Sequence, residues 1–182
     1  AQSLRATAAD SGAGTSRVDY ELGELIEIGK SLSAVRDVDA LLDKILEKAR
    51  FLAGADAGSL YVVERDDTGE RRLRFKLSQN DSIDYESAEF TLPLSTRSIA
   101  GAAAVHGESI DIEDVREIPK DAPYRYDDSF DERTGYRTRS ILTCPFFGSD
   151  GQCIGVLQVL NKKTETPFTS WDEELLQALG SH

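Results

Sequence analysis

The hydrophobic period of the chain changes near Gly54, and this change limits the folds that the sequence can adopt. Before this glycine, apolar residues recur at three- and four-residue steps, which predicts an amphipathic helix over residues 38–53. The helical stripe consists of Val38, Leu41, Leu42, Ile45, Leu46, Ala49 and Leu52. Asp37 is the expected N-cap and Gly54 the expected end of this helix. A weaker helical pattern over residues 20–32 precedes it.

After Gly54 the pattern is typical of strands. A buried-looking run over residues 58–63 and a clean alternation over residues 72–77 predict two strands joined by a turn at residues 66–69. Further strands are expected over residues 88–92, 109–112, 140–147 and 153–160, with helices over residues 98–106 and from Thr169 or Ser170 onward. Helices at the chain ends and strands between them predict an α+β fold, with an antiparallel sheet and helices on one face.

Composition narrows the classes of partner. The 182 residues include 21 Lys and Arg against 33 Asp and Glu, a net charge of −12. Such a surface disfavours nucleic acid and anionic membranes as partners. No apolar run reaches the length of a membrane-spanning helix, and Cys144 and Cys153 lie in apolar strand-like runs. We therefore expect a cytoplasmic protein whose cysteines are reduced core residues.

The predicted helix after Ser98 offers one possible ligand site. Its first residues, Ile99, Ala100 and Gly101, are followed by further small residues. The first N–H groups of a helix lack partners within the helix, so small side chains there would let an anion approach them. The alternative is that the small residues only allow close packing of the helix on the sheet.

The segment before the last two strands offers a second site. If it is extended, Thr138 lies on one side and Arg137 and Arg139 on the other, with Asp131 and Thr134 arriving from the preceding turn. The hydroxyl and carboxyl groups could bind the edge of a polar ligand. In the alternative reading, the arginines pair with local acids and the threonines satisfy the backbone.

The C-terminal segment predicts a connection between the last strand and the last helix. Ser170 and Glu173 match a capping box, and Lys162 is within reach of Asp172 if Phe168 folds into the core. The expected arrangement is an ion pair on the surface above a buried Phe168. A surface ion pair would contribute only about 0–1 kcal/mol, so its role would lie in fixing the angle of the exit helix.

No catalytic or metal motif is recognisable. His106 and His182 have no nucleophile in a known arrangement, and pairing Cys144 with His106 as haem ligands is a remote alternative. The acids Asp127, Asp128, Asp131 and Glu132 lack the spacing of a calcium loop. The chain is therefore expected to be non-catalytic and to bind no metal.

Three blocks of the sequence resemble the GAF domain family: residues 98–101, 134–142 and 155–162. The chain also matches the Asn-Lys-x(n)-Phe-x3-Asp-Glu signature of GAF domains in cyclic nucleotide phosphodiesterases and certain bacterial cyclases. Its signature residues are Asn161, Lys162, Phe168, Asp172 and Glu173. The resemblance implies a six-stranded antiparallel sheet with the N- and C-terminal helices packed on one face and a ligand pocket on the other. The domain would span residues 19–182 after a flexible lead of residues 1–18, with the exit helix truncated.

The resemblance also implies which residues bind a ligand. In that subfamily the signature is structural, with Lys162 and Asp172 paired. The positions that match the nucleotide pocket are Ser59, Phe75, Ile99, Ala100, Asp131, Thr134, Thr138 and Gln158. By this resemblance, the backbone N–H groups of Ile99 and Ala100 would hold a cyclic phosphate. Phe75 would stack on the base, and Asp131 with the threonines would bind the edge of the base.

The implied function is that of a regulatory domain in a larger bacterial signalling protein. It would bind a small molecule, with cyclic AMP or cyclic GMP as the leading candidate, and would require no cofactor. It would dimerise through its terminal helices and act on an output domain absent from this chain, such as an HD-GYP-type phosphohydrolase, a cyclase or a histidine kinase. The alternative is a ligandless GAF scaffold that serves only for dimerisation.

Overall fold

A six-stranded antiparallel sheet forms the centre of the molecule. The computed structural model describes residues 20–23, residue 26 and residues 35–180. Six strands join side by side in the order β3-β2-β1-β6-β5-β4. The strands are β1 (Ala55–Arg65), β2 (Arg71–Asn80), β3 (Phe90–Pro93), β4 (Ile110–Ile112), β5 (Ile141–Phe147) and β6 (Cys153–Lys162). The helices are α1 (Val35–Ala53), α2 (Ile99–His106), α3 (Ser129–Thr134) and α4 (Ser170–Gly180), with a 3-10 turn at Val115–Glu117. The predicted α+β class and antiparallel sheet are confirmed.

Helix α1 begins earlier than the sequence pattern indicated. Asp37 lies in its first turn, so the prediction that Asp37 is the N-cap is wrong. A carboxylate in the first turn still interacts favourably with the positive end of the helix dipole. Gly54 has a φ of 64° and ends the helix as expected, because this left-handed conformation favours glycine.

Part of the predicted N-terminal structure lies outside the described residues. Residues 20–23 and 26 are helical, in agreement with the predicted helix over residues 20–32, and Leu22 and Ile26 are buried in the core. The rest of that helix and the predicted lead of residues 1–18 lie outside the described residues. None of the helices described is long and apolar enough to cross a membrane.

Helices α1 and α4 pack on one face of the sheet, which we call the helical face. The core there is apolar and continuous, and Phe168 from the loop before α4 is part of it. The side chains that fill it include Leu42, Leu46, Leu60, Leu142, Phe146, Leu157, Val159 and Leu176. Trp171, in the first turn of α4, stays outside this core and is 65% exposed.

The opposite face, which we call the distal face, is divided. Helix α2 packs on one apolar cluster with Tyr61, Val63, Leu73 and Val156. A second cluster joins Ile99, Ile112, Val115 and Ile141. The two cysteines are free, as predicted, and they lie on different faces, Cys144 on the helical face and Cys153 on the distal one.

The pairing of β1 with β2 contains a bulge that the sequence pattern did not indicate. The register shifts so that Leu60 lies opposite Leu77 and Tyr61 opposite Phe75. Strict alternation predicted Phe75 and Leu77 on the same face. Because the bulge inserts one residue, Leu77 packs against the helical-face core while Phe75 joins the distal cluster.

Candidate functional site

Four polar side chains cross the middle of the distal face in one line. Ser59 on β1 pairs in register with Ser78 on β2 and with Gln158 on β6, and Gln158 pairs with Thr143 on β5. We call these four residues the polar row. Directly opposed residues on neighbouring strands share a face of the sheet, so the row separates the two apolar clusters described above. The row brings together two of the predicted ligand residues, Ser59 and Gln158.

The polar row is buried at Ser59 and Thr143, half-buried at Ser78 and Gln158, and only partly paired. Thr143 is 0% exposed and donates a hydrogen bond of 2.9 Å to Gln158 Oε1. Ser59 is 6% exposed, and the hydroxyl of Ser78 bonds to that of Tyr85. In the part of the chain that the structure describes, no hydrogen bond is formed by the Gln158 side-chain amide nitrogen. The row therefore retains at least one donor for a ligand.

Tyr61 extends this site, although the sequence did not single it out. It lies two residues after Ser59 on the same strand and on the same face. Burial raises the pKa of Tyr61 to about 12, while a hydrogen bond with Ser59 lowers it and the charge of Asp127 raises it. The phenol therefore stays neutral and can donate a hydrogen bond. Strand alternation from Ser59 could have identified it.

The start of α2 lies on the same face as the polar row. Ser98 is its N-cap and accepts a hydrogen bond of 2.9 Å from Gly101 N, and both Ile99 and Ala100 are buried. A Cβ at Gly101 would lie 1.9 Å from Ser95 O, so this position requires glycine. Arg125 N donates to Arg97 O at 2.8 Å, within a parallel bridge between Ser98 and Arg125. The chain around Arg125 thus runs directly beside the predicted phosphate site.

Phe75 already has an aromatic partner. Its ring stacks on Phe90 at a centroid distance of 4.7 Å and an interplanar angle of 10°, and it meets Tyr61 edge-on at 5.5 Å. The ring face that the resemblance assigns to a base is covered on one side by Phe90, which is itself exposed. Stacking of a base on that side would require Phe90 to move.

Residues 113–140, which we call the lid, contain the other three predicted ligand residues. Asp131 accepts hydrogen bonds from Tyr126 Oη at 2.8 Å and from Thr138 N and Thr138 Oγ1, both at 2.9 Å. Thr134 Oγ1 donates to Phe130 O at 2.7 Å. Asp131 and Thr134 belong to the short helix α3, where the sequence analysis expected a turn, and Thr138 follows it. No hydrogen bond between described residues joins them to the polar row.

The expected alternation over residues 136–140 of the lid is confirmed, but the pairing of its two arginines with local acids is not. Tyr136 and Ser140 are buried and Thr138 is half-buried, while Arg137 and Arg139 are exposed. The alternative reading paired the arginines with local acids. That pairing is wrong for the residues that the structure describes, where neither arginine has a carboxylate within 4.0 Å. The other part of the alternative, that the threonines satisfy the backbone, is confirmed for Thr134, whose Oγ1 donates to Phe130 O. Among these residues, no group of His, Cys, Asp or Glu side chains could hold a metal ion.

Asn161 fastens the end of the lid to the end of β6. Its Oδ1 accepts hydrogen bonds from Arg139 N at 2.7 Å and Ser140 N at 3.2 Å. Its Nδ2 donates to Arg137 O at 2.8 Å and to Tyr136 Oη at 3.0 Å. Asn161 has a φ of 54°, a left-handed conformation that asparagine tolerates better than most residues. One side chain thus holds four residues near the end of the lid.

Lys162 and Asp172 form the predicted ion pair. It is buried rather than on the surface, with side-chain exposures of 17% and 4%, so the expected energy of a surface pair does not apply. The reason is Phe168, which is buried as predicted and lies under the ammonium group at 5.8 Å from Lys162 Nζ. The pair joins the end of β6 to the start of α4.

The capping box of α4 is displaced by one residue from its predicted position. Thr169 Oγ1 accepts a hydrogen bond from Asp172 N at 3.2 Å, and Asp172 Oδ2 accepts one from Thr169 N at 2.8 Å. Ser170 and Glu173 were the predicted pair. Asp172 forms the cap because its carboxylate, which pairs with Lys162, also lies next to a backbone N–H group at the start of α4 that has no partner within the helix. Glu173 instead accepts a hydrogen bond of 3.2 Å from Gln177.

The cysteines and His106 do not form a reactive group. Cys144 lies on the helical face, whereas His106 ends helix α2 on the distal face, so they do not converge as haem ligands. Burial raises the pKa of Cys144 to about 12 and also raises that of Cys153. Both thiols therefore stay protonated near neutral pH and are poor nucleophiles.

A cleft of about 1620 Å³ opens along the lid, and its walls include residues 113–120, 136–140 and 161–163. Of the eight predicted ligand residues, Asp131 and Thr138 line it. Ser59, Phe75, Ile99, Ala100, Thr134 and Gln158 do not. The cleft and the polar row are thus different places in the fold.

Known proteins are similar to this chain in sequence and in fold. It is 33% identical over 159 residues to the dual 3′,5′-cyclic-AMP and -GMP phosphodiesterase 11A of Takifugu rubripes. The match covers 84% of this chain and 17% of the phosphodiesterase. The chain therefore spans less than a fifth of the length of that relative.

Solved structures with lower identity show the same fold. Residues 122 to 287 of a methyl-accepting chemotaxis protein are 20% identical with a TM-score of 0.61, covering 91% of this chain and 92% of that one. The GAF domain of an Acinetobacter phosphoenolpyruvate-protein phosphotransferase is 18% identical with a TM-score of 0.58, covering 91% and 84%. A free methionine-R-sulfoxide reductase from Neisseria meningitidis is 22% identical with a TM-score of 0.57, covering 99% and 92%.

The GAF domain model matches residues 37–182, which is most of the sequence. This match covers the whole sheet, helices α2 to α4 and nearly all of α1. The chain belongs to the GAF domain family.

Proposed function

We propose that this chain is a regulatory domain that binds a small polar molecule over the polar row, with cyclic AMP or cyclic GMP as the leading candidate. The observation that carries the proposal is the polar row itself. Four polar side chains occupy the centre of a face that is otherwise apolar. A face that served only for packing would gain more from apolar residues at these positions, because burying polar groups without full pairing costs free energy.

The chemistry of the row suits a ligand with several donors and acceptors. Gln158 offers an amide donor, and the hydroxyls of Ser59 and Tyr61 can each donate or accept. Ile99 and Ala100 lie on the same face at the positive end of α2. A nucleotide could place its base or sugar over the row and its phosphate towards the helix. The name of the phosphodiesterase relative supports testing cyclic AMP and cyclic GMP first.

Binding would require the lid to open. The backbone of Arg125 lies beside the start of α2, and Phe90 covers one side of Phe75. A ligand that reached both places would displace these contacts and hold the lid in a different position. The lid is fastened to β6 by Asn161, and the next residue, Lys162, is joined to α4. Lid movement would therefore be passed to α4.

The remaining parts of the proposal concern the whole protein. We infer a cytoplasmic domain of a larger bacterial signalling protein that dimerises through its terminal helices. Its output domain would be an HD-GYP-type phosphohydrolase, a cyclase or a histidine kinase. The free cysteines support a reducing compartment, and the position of α1 and α4 together on one face supports a shared route for the signal.

The test is the thermal stability of the protein with cyclic AMP and with cyclic GMP. A ligand at a hundredfold excess over its dissociation constant should stabilise the protein by about 2.7 kcal/mol. Ser59→Ala should remove most of this gain, because it removes a hydroxyl from the polar row without adding bulk. Thr91→Ala, which removes an exposed hydroxyl from β3, should keep it. A gain retained in Ser59→Ala would place the ligand elsewhere.

The ligandless scaffold remains the second candidate, and two contacts favour it. The stacking of Phe90 on Phe75 and the bridge between Ser98 and Arg125 fill space that a nucleotide would need. A scaffold should show no stabilisation with either nucleotide.

A further inference from the structure

We propose that Arg137 and Arg139 form a binding site for a compact phosphate-bearing molecule in the cleft along the lid. This site is separate from the polar row and does not depend on the proposed function. Both arginines line the cleft, and both are exposed. They lie two residues apart in an extended stretch, so their side chains leave the backbone on the same side, roughly 6.6 Å apart.

The first argument is that these arginines form no ion pair with the described residues of a protein rich in acids, although the charge of Arg139 helps to lower the pKa of Asp114. The chain carries 33 acidic against 21 basic residues, so a basic side chain has many carboxylates within reach. Seven cations among the described residues form ion pairs: Arg50, Arg72, Arg74, Lys76, Arg116, Lys162 and Lys163. The guanidinium groups of Arg137 and Arg139 form no ion pair and no hydrogen bond with the described residues. They remain available to an external anion.

The second argument is that the backbone under these arginines is fixed. Asn161 accepts a hydrogen bond from Arg139 N and donates one to Arg137 O. Arg139 O also accepts a hydrogen bond of 2.8 Å from Val115 N. A ligand would therefore order only the side chains, which lowers the entropic cost of binding. Paired guanidinium groups match the geometry of phosphate oxygens.

Further cations lie on the same walls. Lys120 has no ion pair with a described residue, and Arg125 bonds only to the carbonyl oxygens of Lys120 and Ala122. Lys162 and Lys163, which also line the cleft, are already paired with Asp172 and Asp81. The two arginines are therefore the centre of the available positive charge.

Acidic residues in the cleft restrict the size of the ligand. Glu113, Glu117, Asp128 and Glu165 line the cleft without an ion pair among the described residues. Asp114 is paired with Arg116, and the carboxylates of Asp56 and Asp131 accept hydrogen bonds from tyrosines. A long polyanion would meet the unpaired acids, whereas a compact phosphate can reach the arginines alone. The geometry therefore favours a small phosphorylated molecule over a nucleic acid or an acidic peptide.

Calorimetric titration of the whole chain with inorganic pyrophosphate tests the site. The parent protein should bind it saturably and more weakly as salt concentration rises. The double variant Arg137→Gln and Arg139→Gln should weaken binding at least tenfold. It should fold normally, because neither guanidinium bonds to a described residue, and unchanged urea denaturation would confirm this.

The matched control is the double variant Lys44→Gln and Lys48→Gln. It removes the same two charges from the exposed side of α1, whose residues do not line the cleft, and leaves glutamine in a helix that tolerates it. Its affinity for pyrophosphate should stay within twofold of the parent. The proposal is overturned if the parent shows no saturable binding, or if the control loses as much affinity as the cleft variant.

Discussion

The two faces of the sheet differ in how completely their side chains are satisfied. The helical face buries one continuous apolar core under α1 and α4. The distal face has two smaller apolar clusters with the polar row between them. The same strands supply both faces, so alternate residues of β1 and β6 serve different purposes. The contrast indicates that the helical face supplies most of the stability, and the polar row of the distal face is where we propose that a ligand binds.

The largest expected effect tests this contrast within a single strand. Leu157 and Leu160 both belong to β6, but Leu157 is fully buried in the helical-face core while Leu160 is half-buried on the distal face. Leu157→Ala should lower the free energy of unfolding by about 2–5 kcal/mol, because it leaves a cavity. Leu160→Ala should lower it by roughly 1–2 kcal/mol. Urea denaturation measures both, and equal losses would contradict the proposed division of roles.

The next effect concerns the ion pair that joins the end of β6 to helix α4. Lys162→Ala leaves Asp172 buried without its partner and should cost about 3 kcal/mol. Lys163→Ala is the matched control. Its ion pair with Asp81 is half exposed to solvent, so its loss should cost about 0–1 kcal/mol. Denaturation of the two neighbouring variants compares a buried pair with an exposed one, and similar costs would show that burial of the Lys162 pair adds nothing.

The smallest effect is a pH dependence at the edge of the helical face. Burial, together with the charges of Glu173, Glu113 and Asp172, raises the pKa of Asp111 to about 6. The folded state thus holds this proton more tightly than the unfolded chain, whose value is near 3.9. Stability from this group is complete below about pH 4 and is lost as the pH rises through 6.

Asp111→Asn should therefore stabilise the protein at pH 7.5 relative to the parent and do so less at pH 4.5. The expected difference is below about 1 kcal/mol, because Asp111 is only partly desolvated and a large part of the residue stays exposed to solvent, which screens its interactions. Asp121→Asn, an exposed acid with no ion pair among the described residues, serves as the control. The same gain at both pH values would show that Asp111 does not titrate in this way.

The sequence predicted the elements with a strong period and missed the details set by contacts distant in the chain. The amphipathic stripe of α1 and the apolar runs of β5 and β6 identified these elements because burial alone determines their pattern. The face of Phe75 could not be predicted, since the bulge opposite Leu60 and Tyr61 depends on the partner strand. The register of Thr143 with Gln158 and Ser59, which creates the polar row, has the same origin.

The C-terminal signature shows a second limit. The residues themselves predicted the pairing of Lys162 with Asp172, but they did not predict that the pair is buried. Burial depends on Phe168 packing under the lysine and on the cap that Thr169 forms with Asp172. The sequence predicted Ser170 and Glu173 as the capping pair. The position of the end of β6 relative to α4 determines that Thr169 and Asp172 form the cap instead.

The position of Trp171 has a practical consequence. It is the only tryptophan in the chain, it is largely exposed, and it immediately precedes Asp172. Its fluorescence therefore comes from a single place, the joint between β6 and α4, without any added label. A shift of its emission to shorter wavelengths would report that a partner covers this joint, and a change in quenching by iodide would report movement of α4 itself.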